Sequence, residues 1–269
     1  MKLQRLAPLC GVLLLAVVSC GCNKLKARDQ LNKGVGSFRN AQYQQAIEHF
    51  QNAVNLDPTL IVARLYLATS YFQLYVPSGE SPDNIKVGEQ AIDAYQDVLK
   101  NDPNNVDALS SIATIYYYMK KFDKAKELQQ KRLQIEPNNP EGYYWIGELD
   151  WSICFPKRMQ LRKDLNIANP KDPLHPDIFP PIPEKDRAQL AEGNGPLVDE
   201  GIKSLEKAIE LKPDYVDAIA YLNLMYREKA DLEADPSARN ADIAKANDLN
   251  AQANNLIKQQ QEQAAKTTK

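Results

Sequence analysis

The stretch Asp102–Pro137, DPNNVDALSSIATIYYYMKKFDKAKELQQKRLQIEP, constrains this chain more than any other. Leu109, Ile112, Ala113 and Tyr116 recur at three- and four-residue spacing, so they share one helical face. Lys120, Lys121, Phe122 and Asp123 interrupt that face and predict a turn. Ala125, Leu128, Gln129 and Leu133 define a second face. Two helices this short cannot bury two such faces alone, so the pair needs a similar neighbour on each side. The chain supplies them. Asp-Pro or an equivalent closes a helix at Pro58, Pro103, Pro137 and Pro213, with gaps of 45, 34 and 76 residues. The middle gap is a 34-residue period, and the others are that period lengthened by 11 and 42 residues. Proline suits these points because it cannot continue a helix but can open the next one.

Other units agree in phase. The unit from Val106 carries Leu109, Ile112, Ala113, Tyr116, Ala125 and Pro137. The unit from Ile61 carries Leu67, Ala68, Tyr71, Ala91, Tyr95 and Pro103. The first carries Gly34, Ala46, Phe50, Ala53 and Pro58; the fourth carries Ile146, Gly147, Gly201, Leu205, Ala208 and Pro213; the fifth opens with Ala218, Leu222 and Tyr226. A small residue in each helix, an aromatic late in the first helix and a closing proline resemble the tetratricopeptide repeat. The resemblance implies an all-α, right-handed superhelical solenoid of about five helix pairs. The units fall at about 27–60, 61–105 with an 11-residue insertion, 106–139, 140–215 with a 42-residue insertion at about 152–198, and 216–260 with a capping helix. Residues 261–269 read as a disordered tail. Lys33, Ser37 and Asp150 depart from the pattern, the first two at apolar positions and the third at an aromatic one.

The chain opens with Lys2 and Arg5, then an apolar run from Leu6 to Val18, 13 residues and short for a permanent span. Residues 1–19 read as a signal peptide. Val17-Val18-Ser19-Cys20 resembles the lipobox of bacterial lipoproteins, which implies lipidation at Cys20 and a tether over residues 20–26. Ordinary cleavage near Gly21 is the competing reading. The expected location is therefore the bacterial envelope, periplasm-facing, with the outer membrane favoured where there are two.

Loss of residues 1–19 moves the formal charge from −2 to −4, with no basic block, so nucleic-acid binding is not expected. Of the four cysteines only Cys154 lies in the body, which excludes a disulfide framework; it reads as a small apolar residue near a helix end. His49 reads as solvated, and His175 has no second ligand in its spacing, so no metal is expected. Gly34-Val35-Gly36 is no phosphate loop, and Val35 stands where carboxylate-clamping repeats carry Asn. No nucleophile, metalloprotease, Walker or dinucleotide pattern is present, and the acidic residues read as exposed and solubilising. Neither enzymatic activity nor a cofactor is expected.

In the repeat family the first helix of each pair lines a concave groove. Projecting that phase aims Phe38, Arg39, Phe72, Tyr117, Tyr118, Tyr144, Trp151 and Arg227 at it. Aromatics and arginines are the usual anchors of a binding surface. The expected partner is a protein or peptide, with the membrane met through the N-terminal lipid; the oligomeric state is open. The insertion holds eight of the 17 prolines, so it reads as not one helix, with a short helix from Glu184 to Ala191 ended by Gly193-Asn194-Gly195. Trp151, Ile153, Phe155, Ile178 and Phe179 suggest that it packs as a strap over the groove, while Arg158, Arg162 and Lys163 read as a solvated basic cluster. A soluble periplasmic receptor for a small or oligomeric ligand, with this insertion as its lid, is the alternative function.

Overall fold

The computed structural model describes the backbone of residues 7–167 and 180–267, and the side chains of residues 22–167 and 180–266. Every regular element among them is an α-helix: α1 (Ala7–Arg39), α2 (Tyr43–Leu56), α3 (Ile61–Leu74), α4 (Pro82–Asn101), α5 (Val106–Tyr118), α6 (Phe122–Ile135), α7 (Pro140–Asp164), α8 (Glu184–Leu211), α9 (Val216–Leu232) and α10 (Pro236–Thr267). They form two compact units that divide between Lys120 and Lys121. In the first, α1 packs on α2, α2 on α3, α3 on α4 and α4 on α5; in the second, α6 packs on α7, α8 on both α7 and α9, α7 on α9, and α9 on α10.

The closing prolines make one turn four times. Asp57, Asp102, Glu136 and Lys212, each just before a proline, end α2, α4, α6 and α8 with φ of −139°, −139°, −121° and −142°. A residue before proline is pushed out of the helical region by the ring, which stops the helix there. In each case the carbonyl of that residue accepts a hydrogen bond three residues on, from the N–H of Leu60, Asn105, Asn139 or Tyr215, at 3.0 to 3.1 Å. Asn105 and Asn139, 34 residues apart, then cap α5 and α7 by accepting from Ala108 and Glu141 N–H, each at 2.9 Å. The turns inside the pairs repeat as well. Ala41 and Lys120 both sit in the left-handed region, at φ 57° and 58°, and donate to the carbonyls of Phe38 and Tyr117. At α4 the cap is Ser81, which accepts from Asn84 N–H at 3.2 Å with Pro82 in the first turn; Asp83 lies inside the helix.

Within the units, helices approach at small residues. Ala46, Phe50, Ala53, Ala63 and Ala68 are fully buried in the first unit. A methyl group on Gly34 would stand 2.5 Å from the Phe50 ring, so α1 and α2 meet there without a side chain between them. Gly147 meets Leu205, and Gly201 meets Met225, in the same way. His49 is half-buried, with Nδ1 2.9 Å from Gln30 Oε1, and is tied to α1 rather than simply solvated.

The insertion differs from expectation. It is largely the continuation of two repeat helices: α7 runs through Pro156 to Asp164, and α8 starts at Glu184 and runs through Gly193, Gly195 and Pro196 to Leu211. Each proline forfeits one hydrogen bond, and packing compensates. Where the two helices cross, the buried Asn194 donates to the Cys154 carbonyl at 3.2 Å, and Cys154 is fully buried in the middle of α7, not near its end. Ile178, Phe179 and His175 lie outside the described residues, as does the rest of the strap at 168–179. At the other end, α10 presents Lys245, Asn247, Asn250 and Asn254 to solvent, as a cap should. It stays helical to Thr267, beyond the start of the expected tail, because Ala, Gln, Glu and Lys are strong helix formers.

Two glycines of α1 separate close packing from helix propensity. Gly34→Ala is expected to lower stability by about 1–3 kcal/mol through overpacking against Phe50. Gly36→Ala, where a methyl would meet nothing within 4 Å, is expected to raise it by about 0.5–1 kcal/mol. Urea titration followed by circular dichroism measures both.

Candidate functional site

In the second unit one face of α7 carries Tyr144, Glu148, Trp151, Phe155, Arg158 and Arg162, spaced by three or four residues. It lies along α9, which it meets in parallel order. Tyr144 packs on Tyr215 and Tyr221 with ring centroids 5.2 and 5.6 Å apart, and Trp151 on Tyr221 at 5.4 Å and on Phe155 at 4.7 Å. Further along, Arg158 and Arg162 meet Glu228 and Asp231. Edge-to-face and stacked rings of this kind add about 0.5–1.5 kcal/mol per pair beyond the area they bury. Tyr144, Tyr215, Tyr221, Trp151 and Phe155 remain only half-buried, so the cluster is at once part of the packing and part of the surface.

Glu148 sits inside this cluster, 7% exposed, and accepts from the Tyr221 hydroxyl at 3.0 Å. Burial pushes the Tyr144 hydroxyl well above the usual phenol range, and a hydrogen bond to Glu148 adds to it. Burial also pushes Tyr215 up to about 12, with Glu141, Asp217 and Glu148 contributing. The face is therefore aromatic with an acidic interior.

The charged end of the stripe overturns the expectation of a solvated basic cluster. Arg158 and Arg162 are 1% and 2% exposed, and only Lys163 is in solvent. Arg158 pairs with Glu228 at 2.9 Å and Asp231 at 3.1 Å, while Arg162 grips both Asp231 oxygens at 2.5 and 2.7 Å. Neither are all the acids solubilising: Glu148, Asp150, Glu228, Asp231 and Asp242 are buried. Asp150, at a position where the repeat has an aromatic, is fully buried and takes Lys126 of α6 at 2.5 Å; the same ammonium reaches Glu200 of α8 at 2.9 Å. Burial pushes Asp150 up to about 7 against the pull of Lys126, and Glu228 up to about 7 against the pull of Arg158. Burial likewise raises the Cys154 thiol to about 12, which makes it an unreactive packing residue.

Five of the eight expected groove residues lie in the first unit and three in the second. Tyr144 and Trp151 share the cluster around Tyr221. Arg227 leaves the set: it is 1% exposed, and its guanidinium donates to Asn223 at 3.0 Å and Asn247 at 2.7 Å. In the first unit Phe38 is half-buried against Tyr43 and Tyr66 at 5.4 and 5.8 Å, Phe72 is half-buried on α3, and Arg39 is exposed. Tyr117 and Tyr118 are half-buried and meet edge to face at 5.5 Å. Sequence reasoning missed Glu148, Tyr215 and Tyr221, and placed Phe155 in the strap rather than on this face. The continuation of the 144–151 spacing through Phe155 to Arg158 and Arg162, with a matching Glu228/Asp231 pair on α9, was the available signal. Among the described residues no group of three or more His, Cys, Asp or Glu could hold a metal ion. No helix among them is long and apolar enough to cross a membrane.

The tetratricopeptide repeat family model matches residues 106–139. The chain is 30% identical over 195 residues to Hsp70-Hsp90 organizing protein 3 of Arabidopsis thaliana, covering 68% of this chain and 33% of that one. It is 28% identical over 195 residues to the Hsp70-Hsp90 organizing protein of Triticum aestivum, covering 68% and 32%. It thus spans about a third of the length of these relatives. Among solved structures it resembles residues 41 to the end of MamA from Desulfovibrio magneticus RS-1, with TM-score 0.53, 14% identity, and 84% and 96% of the two chains covered. It also resembles YrrB, described as a TPR protein with an unusual peptide-binding site, with TM-score 0.50, 13% identity, and 86% and 90% covered. At these identities the structures bear on the fold alone.

Two tests follow from the buried charges. Asp231→Ala strands the buried Arg162 guanidinium and leaves Arg158 with Glu228 alone, and is expected to cost about 3–5 kcal/mol in chemical denaturation. Asp150, whose carboxyl titrates higher folded than unfolded, contributes stability that is complete below about pH 4 and is lost as pH rises through about 7. Asp150→Asn should flatten that part of the profile of melting temperature against pH. The chain carries a tetratricopeptide repeat at residues 106–139 and has the all-helical fold of that repeat family.

Proposed function

We propose that this chain is a protein-interaction scaffold or assembly factor of a bacterial cell envelope, exported, tethered by lipid at Cys20 and facing the periplasm. It holds a peptide or protein on the first helices of its pairs. The observation that carries the binding part is the half-buried aromatic face of α7 and α9: Tyr144, Trp151, Phe155, Tyr215 and Tyr221. Large, rotationally limited rings held by their neighbours lose little freedom on binding, which is why Trp and Tyr dominate hot spots. Phe38, Phe72, Tyr117 and Tyr118 offer rings of the same kind in the first unit. The relatives named as organizing proteins agree with such a role. The envelope tether rests on the leader and on the Val17-Val18-Ser19-Cys20 sequence. It also gives export a physical consequence, because one acyl chain holds a membrane only marginally and two or more hold it stably.

The binding part is tested by crosslinking in intact cells, purification of the tagged chain and mass spectrometry. Wild type is compared with a Trp151→Ala, Tyr221→Ala variant whose folding is checked by circular dichroism. Loss of two hot-spot rings should reduce recovery of a specific partner by roughly tenfold or more; unchanged recovery removes this face from the site. The tether is tested separately by feeding labelled palmitate. Cys20→Ser is expected to abolish incorporation and to shift the chain out of the membrane fraction, and continued labelling would place the lipid elsewhere.

A further inference from the structure

At the N-terminal end of the first unit, α1 runs beside the turn between α2 and α3. Leu31 of α1 packs with Leu60 against Ala53, Val54 and Ala63. Around this contact three large apolar side chains stand in solvent: Leu25 is 72% exposed, Val62 51% and Ile61 38%. Lys24, Lys26 and Arg28, all exposed, flank Leu25 along α1. Lys24 and Arg28 come near enough to Asp57 to help its Thr59 hydrogen bond hold that carboxyl below its usual range. Arg64 closes the turn from the other side, donating to the Pro58 carbonyl at 2.8 Å. Against these cations stand Asp57 and Asp29, the latter paired to Lys33 at 2.7 Å. This end is therefore locally cationic in a chain whose net charge is −2.

We propose that this rim, Leu25, Ile61 and Val62 with Lys24, Lys26 and Arg28, docks on an anionic lipid surface. Singly exposed apolar side chains set among cations suit the headgroup boundary, where the apolar groups enter the acyl region and the cations meet phosphate. A protein partner would instead call for a pocketed aromatic or arginine anchor. One cleft of the first unit opens between α2, α3 and α4, and none of Leu25, Ile61 and Val62 lines it. Position supplies the second argument, and it rests on the lipidation proposed above. Cys20 and Leu25 belong to the one continuous helix α1, so the acylated residue is about 8 Å along the axis from the rim. A chain held there by lipid would present this end to the bilayer. Each basic residue near an anionic surface strengthens binding roughly fivefold, which would orient the first unit on the membrane.

The test uses the full chain in vesicles of phosphatidylglycerol and phosphatidylcholine, with photoreactive benzoylphenylalanine at position 62 or, as control, at position 76. Val76 is 61% exposed, and it follows the far end of α3. Lipid adducts at 62 should exceed those at 76 at least fivefold. The excess should fall in phosphatidylcholine alone, in high salt, and in a Lys24→Glu, Lys26→Glu, Arg28→Glu variant whose folding is checked by circular dichroism. Equal labelling at 62 and 76, or an excess indifferent to charge reversal, overturns the proposal. So does an adduct at 62 to a second copy of the chain in place of lipid. Flotation of wild type against Cys20→Ser reads the tether independently: a standing tether with a ratio near one sinks the rim alone, and a chain that fails to float sinks both.

Discussion

Each helix pair in this chain depends on the close approach of helices that are too short to be stable by themselves. A helix of 13 or 14 residues such as α2, α3, α5 or α6 is marginal in water and takes most of its stability from the face it buries. That face can be buried only where neighbouring backbones come close. Gly34 against Phe50, Gly147 against Leu205 and Gly201 against Met225 are the points where a side chain has been removed to permit it. The prolines complete the arrangement. By forcing an extended residue before them, they end the second helix of each pair in the same hydrogen-bonded turn.

The second unit adds a different kind of interaction. Its α7 and α8 are 25 and 28 residues long, and their added turns carry two prolines and a Gly-Asn-Gly run that would not hold a helix in isolation. They are held by cross-contacts: Asn194 to the Cys154 carbonyl, and four buried charges joining α7 to α9. Charges taken out of water stabilise only when their partners and hydrogen bonds are in place. This quartet therefore specifies a register between the two helices more than it adds stability. A one-residue slip would leave Arg162 without Asp231.

That register also sets out the candidate binding face. The spacing that carries Arg158 and Arg162 to α9 carries Tyr144, Glu148, Trp151 and Phe155 there too, so the aromatic surface and the ionic lock are two ends of one stripe. A surface whose rings are fixed by such neighbours is preorganised, and it loses less freedom when a partner arrives. Removal of Arg227 from the expected set follows from the same geometry, since its place on α9 points it at α10 and Asn247.

The repeating part of the chain was legible in sequence because its signals are local. A three- and four-residue apolar spacing, a small residue at a fixed offset and a proline after a helix end act through sterics over a few residues. They gave the helices, the close contact at Gly34 and the repeated turns. The insertion was misread for the same reason. Proline and glycine weaken a helix locally, and nothing nearby in sequence says that Cys154 will meet Asn194, 40 residues on. Nor does local reasoning distinguish an arginine in solvent from one facing an acid on another helix: Arg162 and Asp231 are 69 residues apart. The sequence by itself determined an all-helical repeat of a recognisable family. Tertiary structure alone decided which charges are buried and which rings remain at the surface, because both depend on what a distant helix brings opposite.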